Sequence, residues 1–158
     1  MAKEISFDDF SKYLEKTLPA VKENLEKKIK LCCQKVKSDI QHSMADTPRD
    51  MSKTYYSNNK TKAHNPSLPG NPPAPDTGNL RKSIRYELNS EGDVIYGIVG
   101  TTQKDPPYGA YLENAEYGSS KMAPRPWLRP AMERNNEFIR MSIAKGVMNG
   151  IKLKGVKK

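Results

Sequence analysis

From Leu18 to Met44 the apolar residues fall at Leu18, Val21, Leu25, Ile29, Cys32 or Cys33, Val36, Ile40 and Met44, always three or four apart. That spacing lines them along one stripe of an α-helix of about seven turns. A helix with so long an apolar stripe must be covered, so the rest of the chain is constrained by what can pack on it. The other face carries Lys22, Glu23, Glu26, Lys27, Lys28, Lys30, Lys35 and Lys37, a surface for solvent or a partner. Upstream, Ser6 before Phe7-Asp8-Asp9 has the hydroxyl and carboxylates of a helix start. Pro19 then interrupts, and is expected in the first turn of the second, longer helical stretch.

Periodicity vanishes between Ala45 and Pro75, where six of the twelve prolines lie. This reads as a long flexible loop, of the kind that is functional or ordered only by a neighbour. It is basic and holds Tyr55 and Tyr56, which could stack on bases or pack on another subunit.

Beyond it, Asp76-Thr77-Gly78 forms a turn, with Leu80 and Ile84 four apart and facing a core. Ser83–Leu88 alternates as a half-buried strand, Asn89–Asp93 is a polar turn, and Val94–Gly100 is a second strand, together an antiparallel hairpin. After a break at Pro106-Pro107, residues 108–117 form a short helical segment ending before Gly118. In "MAPRPWLRPAM" the residues before each proline are extended, and Pro130 opens a last helix running to about Met148. The expected fold is α+β: a long N-terminal and a C-terminal helix packed on a small, mainly antiparallel sheet. The 158 residues suit a single domain, divided into a helical region 1–44, the loop 45–75, an α+β body 76–148 and a basic tail 149–158.

With 27 Lys and Arg against 18 Asp and Glu, the net charge is +9, so a polyanionic neighbour such as DNA is plausible. The N-terminus lacks the apolar core of a signal peptide and no apolar run is long enough for a membrane, which points to a cytoplasmic product. Cys32 and Cys33 are adjacent in a helix, a poor geometry for a mutual disulfide, and read as small core residues.

Catalytic patterns are weak. Asp-Thr-Gly is the triplet with which acid proteases present a carboxylate, but those enzymes place it after a buried strand and pair two of them. Here Pro-Pro-Ala-Pro precedes Asp76 and Asn79 follows, so an aspartic protease would have to be a homodimer built on an unsuitable turn. His42 and His64 are the only histidines and neither belongs to a nucleophile or metal pattern; no cofactor or metal is expected. Glu113 and Glu116, three apart on a short helical piece, could face one cleft, an ordinary salt-bridging surface explains them equally well, and both are candidates for a subunit interface. Trp127, between two Arg-Pro pairs, is either an interface hot spot or an anchor of the last helix, and Arg125 and Arg129 are candidates for a partner's carboxylates or phosphates.

Three segments, "DTGNLRKSI" (76–84), "YGAYLENAEYG" (108–118) and "APRPWLRPAM" (123–132), resemble in order and spacing the HK97 gp10-like family of tailed-phage proteins. Its pattern falls on Thr77, Gly78, Leu80, Ser83 and Ile84, then on Tyr108, Ala110, Glu113 and Gly118. It ends on the run Pro124, Arg125, Pro126, Trp127, Leu128, Arg129, Pro130 and Ala131. Trp127 stands where the family has Phe, and two extra residues before "EYGSS" make Glu116 the alternative equivalent of the family's Glu. The resemblance implies a non-enzymatic virion subunit for tail completion or head-tail joining, forming a ring in the neck around the DNA channel. Its partners would be copies of itself, neighbouring connector and tail proteins, and packaged DNA. The rival reading is a stand-alone nucleic-acid-binding module, which would show steeply salt-dependent DNA affinity.

Overall fold

A computed structural model describes residues 6–56, 63–101 and 108–152. Residues 57–62 of the loop, the Pro106-Pro107 break and residues 153–158 of the basic tail lie outside the described residues. The fold is α+β: helices α1 (Phe7–Ala45), α2 (Asn79–Ser83), α3 (Tyr108–Tyr117) and α4 (Leu128–Lys152) accompany strands β1 (Tyr55–Tyr56), β2 (Ala63–His64), β3 (Ile84–Glu91) and β4 (Val94–Thr101). The strands form two separate two-stranded ribbons, β1-β2 and β3-β4.

The start of α1 follows from its capping residues. Asp9 donates its amide to Ser6 Oγ at 3.1 Å, Ser6 Oγ donates to Asp9 Oδ2 at 2.8 Å, and Phe10 N donates to the Ser6 carbonyl. Pro19 does not divide the helix as expected: it lies inside one continuous run of 39 residues. Its missing amide costs one bond to the preceding turn, which the long helix absorbs.

The described chain sorts into two compact units, one of residues 1–33, 88–97 and 136–158, the other of residues 34–87 and 98–135. In the first, α1 and α4 run antiparallel, since Gly146 lies against Leu25 and Lys28 while Gly150 lies against Val21. A Cβ on Gly150 would sit 2.4 Å from Val21 Cα, so the two backbones touch there. Lys22 Nζ donates to the Gly92 carbonyl at the hairpin tip, 3.0 Å away. Because the described part of α4 ends near the level of Val21, no described residue covers the apolar stripe of α1 toward the N-terminus: Phe7, Phe10, Leu14 and Leu18 share the face of Val21 and Leu25 yet are exposed.

In the second unit the stripe is covered. Val36, Ile40 and Met44 are buried, as are Ile84, Leu112, Ala115, Trp127 and Ala131. Each large side chain contributes about 1.5–3 kcal/mol by leaving water. Polar ties fix the elements: Gln41 Nε2 donates to the Arg81 carbonyl, Gln34 Nε2 to Tyr86 Oη, and Asp39 Oδ2 accepts from Arg134 Nε at 3.1 Å and from buried Asn135 Nδ2 at 2.9 Å.

The hairpin is longer than the alternation suggested: Asn89, Ser90 and Glu91 continue β3, and only Gly92-Asp93 turns, with Gly92 at φ 58°. A two-residue connection of this kind joins antiparallel strands. The last helix also exceeds its expected bounds, opening at Leu128 rather than Pro130 and taking in residues 149–152 of the expected tail.

The described parts of segment 45–75 are not structureless. Tyr55 pairs with His64 and Tyr56 with Ala63, and Arg49 forms an isolated bridge with Ser67. Asp50 N donates to Pro66 O, Leu68 N to Pro48 O, Thr47 Oγ1 to Pro72 O, Arg49 Nη2 to Pro75 O and Gly70 N to Pro124 O. The prolines that removed every helical and strand signal have lost donors but kept acceptors, and their carbonyls hold the two arms together.

Candidate functional site

Two of the three segments that carry the resemblance, 108–118 and 123–132, are joined by one carboxylate. On α3, Leu112, Ala115 and Glu116 share the buried face, while Glu113 is exposed. Glu116 is 6% exposed. Its Oε2 accepts the backbone amides of Trp127 (2.8 Å) and Leu128 (3.0 Å), and its Oε1 that of Arg129 (2.9 Å). These are the first amides of α4, which have no partners within the helix, and the fourth position is Pro130, which has no amide. Glu116 and Pro130 together therefore leave no amide of the first turn unpaired. The negative charge also lies at the positive end of the helix dipole. Reading Glu116 as a surface ion pair thus fails; its contact with Arg129 Nε, at 3.9 Å, is secondary to the backbone bonds.

Gly118 ends α3 at φ 82°, where its amide reaches the Asn114 carbonyl. A Cβ there would meet Pro124 Cδ at 3.0 Å, so the position needs glycine both for its dihedral and for space. Trp127 is 5% exposed, which makes it an anchor within this chain rather than an exposed hot spot, and among the described residues its indole N–H has no partner. Arg129 is exposed and stacks its guanidinium 5.6 Å from the Tyr117 ring centroid. Arg125 is half-buried: its backbone amide donates to Ala115 O, its Nε to Ser67 O at 3.3 Å and its Nη1 to Ala123 O at 3.4 Å.

Tyr55 and Tyr56 are both exposed on β1, 59% and 64% respectively. Tyr55 also lines a cleft of about 390 Å³ with Lys53, His64, Ser67, Lys121 and Arg125. The structure thus brings Tyr55 and Arg125 to one cleft and Glu116, Trp127 and Arg129 to one junction, and leaves Glu113 outside both. Near the cleft, Asp50 accepts from the Ser52 hydroxyl at 2.5 Å and from the Ser52 amide, which holds its carboxyl below the usual range; Lys53 stands 3.8 Å away.

The Asp-Thr-Gly turn borders a second cleft, of about 400 Å³, lined by Met44, His64 and residues 73–81. Gly78 is left-handed at φ 78° and opens α2, Thr77 Oγ1 accepts from the Asn79 amide at 3.3 Å, and Ile84 is fully buried while Leu80 is half-buried. Asp76 is exposed and is the only acid among the described lining residues. That is the geometry of a turn re-entering the core. Among the described residues no three His, Cys, Asp or Glu side chains are grouped to hold a metal, and no helix is long and apolar enough to cross a membrane.

Sequence reasoning missed two devices. One is the Glu116 cap, signalled only by Trp127, not Ser, Thr, Asp or Asn, at the position immediately before Leu128. The other is the Gly146–Gly150 pair that seats α4 on α1. Comparison with protein-family models, with curated proteins and with solved structures gives no match.

Proposed function

We propose that the chain is a structural subunit of a tailed phage or phage-like particle, acting in tail completion or head-tail joining as one copy in a ring around the DNA channel. The observation that carries this reading is that two of the three segments resembling that family are physically joined: the Glu116 carboxylate on the second binds the backbone of the third. A rigid junction of this sort suits a body that holds its shape against neighbours. Two surfaces support assembly. Phe7, Phe10, Leu14 and Leu18 leave an apolar stripe without cover, and Tyr55 and Tyr56 stand exposed on a ribbon edge. A repeated subunit would cover such patches with the next copy.

Sedimentation velocity across a concentration series, with electron microscopy of the largest species, tests this. Closed rings, lost on Leu14→Glu with Leu18→Glu, are expected; a monomer at every concentration, together with particles whose necks lack the chain, would overturn the reading. The acid-protease rival is tested by Asp76→Asn, for which the ring reading expects unchanged assembly.

A further inference from the structure

The cleft between the β1-β2 ribbon and residues 121–125 is chemically one-sided. Its described lining residues include three cations, Lys53, Lys121 and Arg125, together with His64 and Tyr55, and no carboxylate; the Asp50 carboxylate, not among the lining, stands 3.8 Å from Lys53 Nζ. Arg125 is held on two carbonyl oxygens, Ser67 O and Ala123 O, so its guanidinium is preorganised. Ser67 is 1% exposed, lines the same cleft, and among the described residues its Oγ has no hydrogen-bond partner. Asn65 Nδ2 donates to Lys53 O at 2.8 Å and to Thr54 Oγ1 at 3.2 Å, which fixes the entry to β1 beside the cleft.

We infer that this cleft binds the sugar-phosphate backbone of nucleic acid, with Lys53, Lys121 and Arg125 on phosphates and Tyr55 as a stacking platform for an unpaired base. Cations interleaved with an exposed aromatic are what such binding needs: the charges track the polyanion, and the ring offers a face that any base can stack on. An acidic peptide would satisfy the cations but would leave the exposed Tyr55 ring without a planar partner. The inference rests on the ring reading only for why DNA is close by.

Fluorescence anisotropy of labelled single- and double-stranded DNA, titrated with the full chain over a salt series, tests it. Three phosphate-contacting cations give a log-log salt slope of about −2 to −3. The pair Lys53→Glu with Lys121→Glu, both exposed side chains, is expected to weaken binding at least tenfold and to flatten the slope by about two. A charge-matched pair on α1, Lys12→Glu with Lys16→Glu, should change it less than threefold. Tyr55→Ala should weaken single-strand binding by about fivefold or more and leave duplex binding nearly unchanged. Equal losses from the two charge pairs, no binding by the wild-type chain at low salt, or polyglutamate bound as tightly as DNA would each overturn the assignment. Sedimentation of the same variants reads assembly separately, so rings without DNA binding sink this inference alone, and DNA binding without rings sinks only the ring reading.

Discussion

Removing the Glu116 carboxylate is the sharpest test of how the body is held together. In Glu116→Ala three amides lose their acceptor, and that of Trp127 sits beside a buried side chain with no route to water. Loss of an N-cap acceptor costs about 0.5–2 kcal/mol, loss of the charge at the helix start up to about 2, and one buried unsatisfied amide about 1–3. These contributions overlap, so the expected total is about 3–4 kcal/mol rather than their sum. For a chain of this length, that corresponds to a fall in Tm of roughly 6–15 °C. Glu116→Gln keeps an oxygen acceptor but sets an amide donor against an N–H and removes the charge, and should cost about half as much. Glu113→Ala, three residues away and exposed, should stay within about 0.5 kcal/mol of the parent. Urea unfolding followed by circular dichroism measures all three. A Glu116→Ala variant within about 1 kcal/mol of the parent would refute the capping argument.

Further expectations follow from other sites. Gly150→Ala should destabilise by about 1–2 kcal/mol, because its Cβ would strike the Val21 backbone, whereas at Gly146 a Cβ meets Lys28 Cγ at 3.1 Å, Leu25 Cδ2 at 3.3 Å and the Asn24 backbone oxygen at 3.4 Å, milder contacts that the helix-propensity gain of alanine offsets, so Gly146→Ala should be near neutral; thermal melts of the pair decide it. Gly118→Ala combines a left-handed dihedral with contact on the Pro124 ring and should cost about 2–3 kcal/mol by the same measurement. Pro19→Ala restores a bond in the interior of α1 and should raise stability by about 1 kcal/mol or more; an unchanged or lower denaturation midpoint contradicts a continuous α1. Burial, and then the adjacent Cys32, push the Cys33 thiol up. Its folded value therefore lies above the unfolded one, so stability is complete below the usual thiol range and drains away as pH rises through it. Urea midpoints measured between pH 7 and 10 should fall more for the parent than for Cys33→Ala.

Much of this fold can be read from spacing alone. The three-and-four rhythm from Leu18 to Met44 locates the apolar stripe of α1, buried from Cys32 onward, and the alternation after Ser83 locates the hairpin, because both are local periodicities. What spacing cannot report is a partner far along the chain. Leu128 opens a helix with no capping side chain of its own, and its acceptor comes from Glu116, a dozen residues earlier on another helix. Segment 45–75 is opaque for a related reason. Prolines erase the propensity signals, but the bonds that shape the segment run from amides such as Asp50 N and Leu68 N to prolyl carbonyls, which no composition count registers. Of the residues singled out for contact, Trp127 went inward because a large apolar ring before a helix serves either purpose, and only burial separates them.

The backbone contact at Gly150 also has a genetic side. Every amino acid reachable from a glycine codon by a single-base change carries at least one more heavy atom, and here the first of those atoms collides with the Val21 Cα and N as well as with its Cγ2. Drift at this codon thus has no conservative direction, and no substitution at Val21 can open enough room, since two of the three obstructing atoms are ones that all residues share. Divergent versions of this chain would be expected to vary freely along the lysine-rich face of α1 while holding glycine at this crossing, a pattern that a mutational scan would expose as a single intolerant position in an otherwise permissive end of α4.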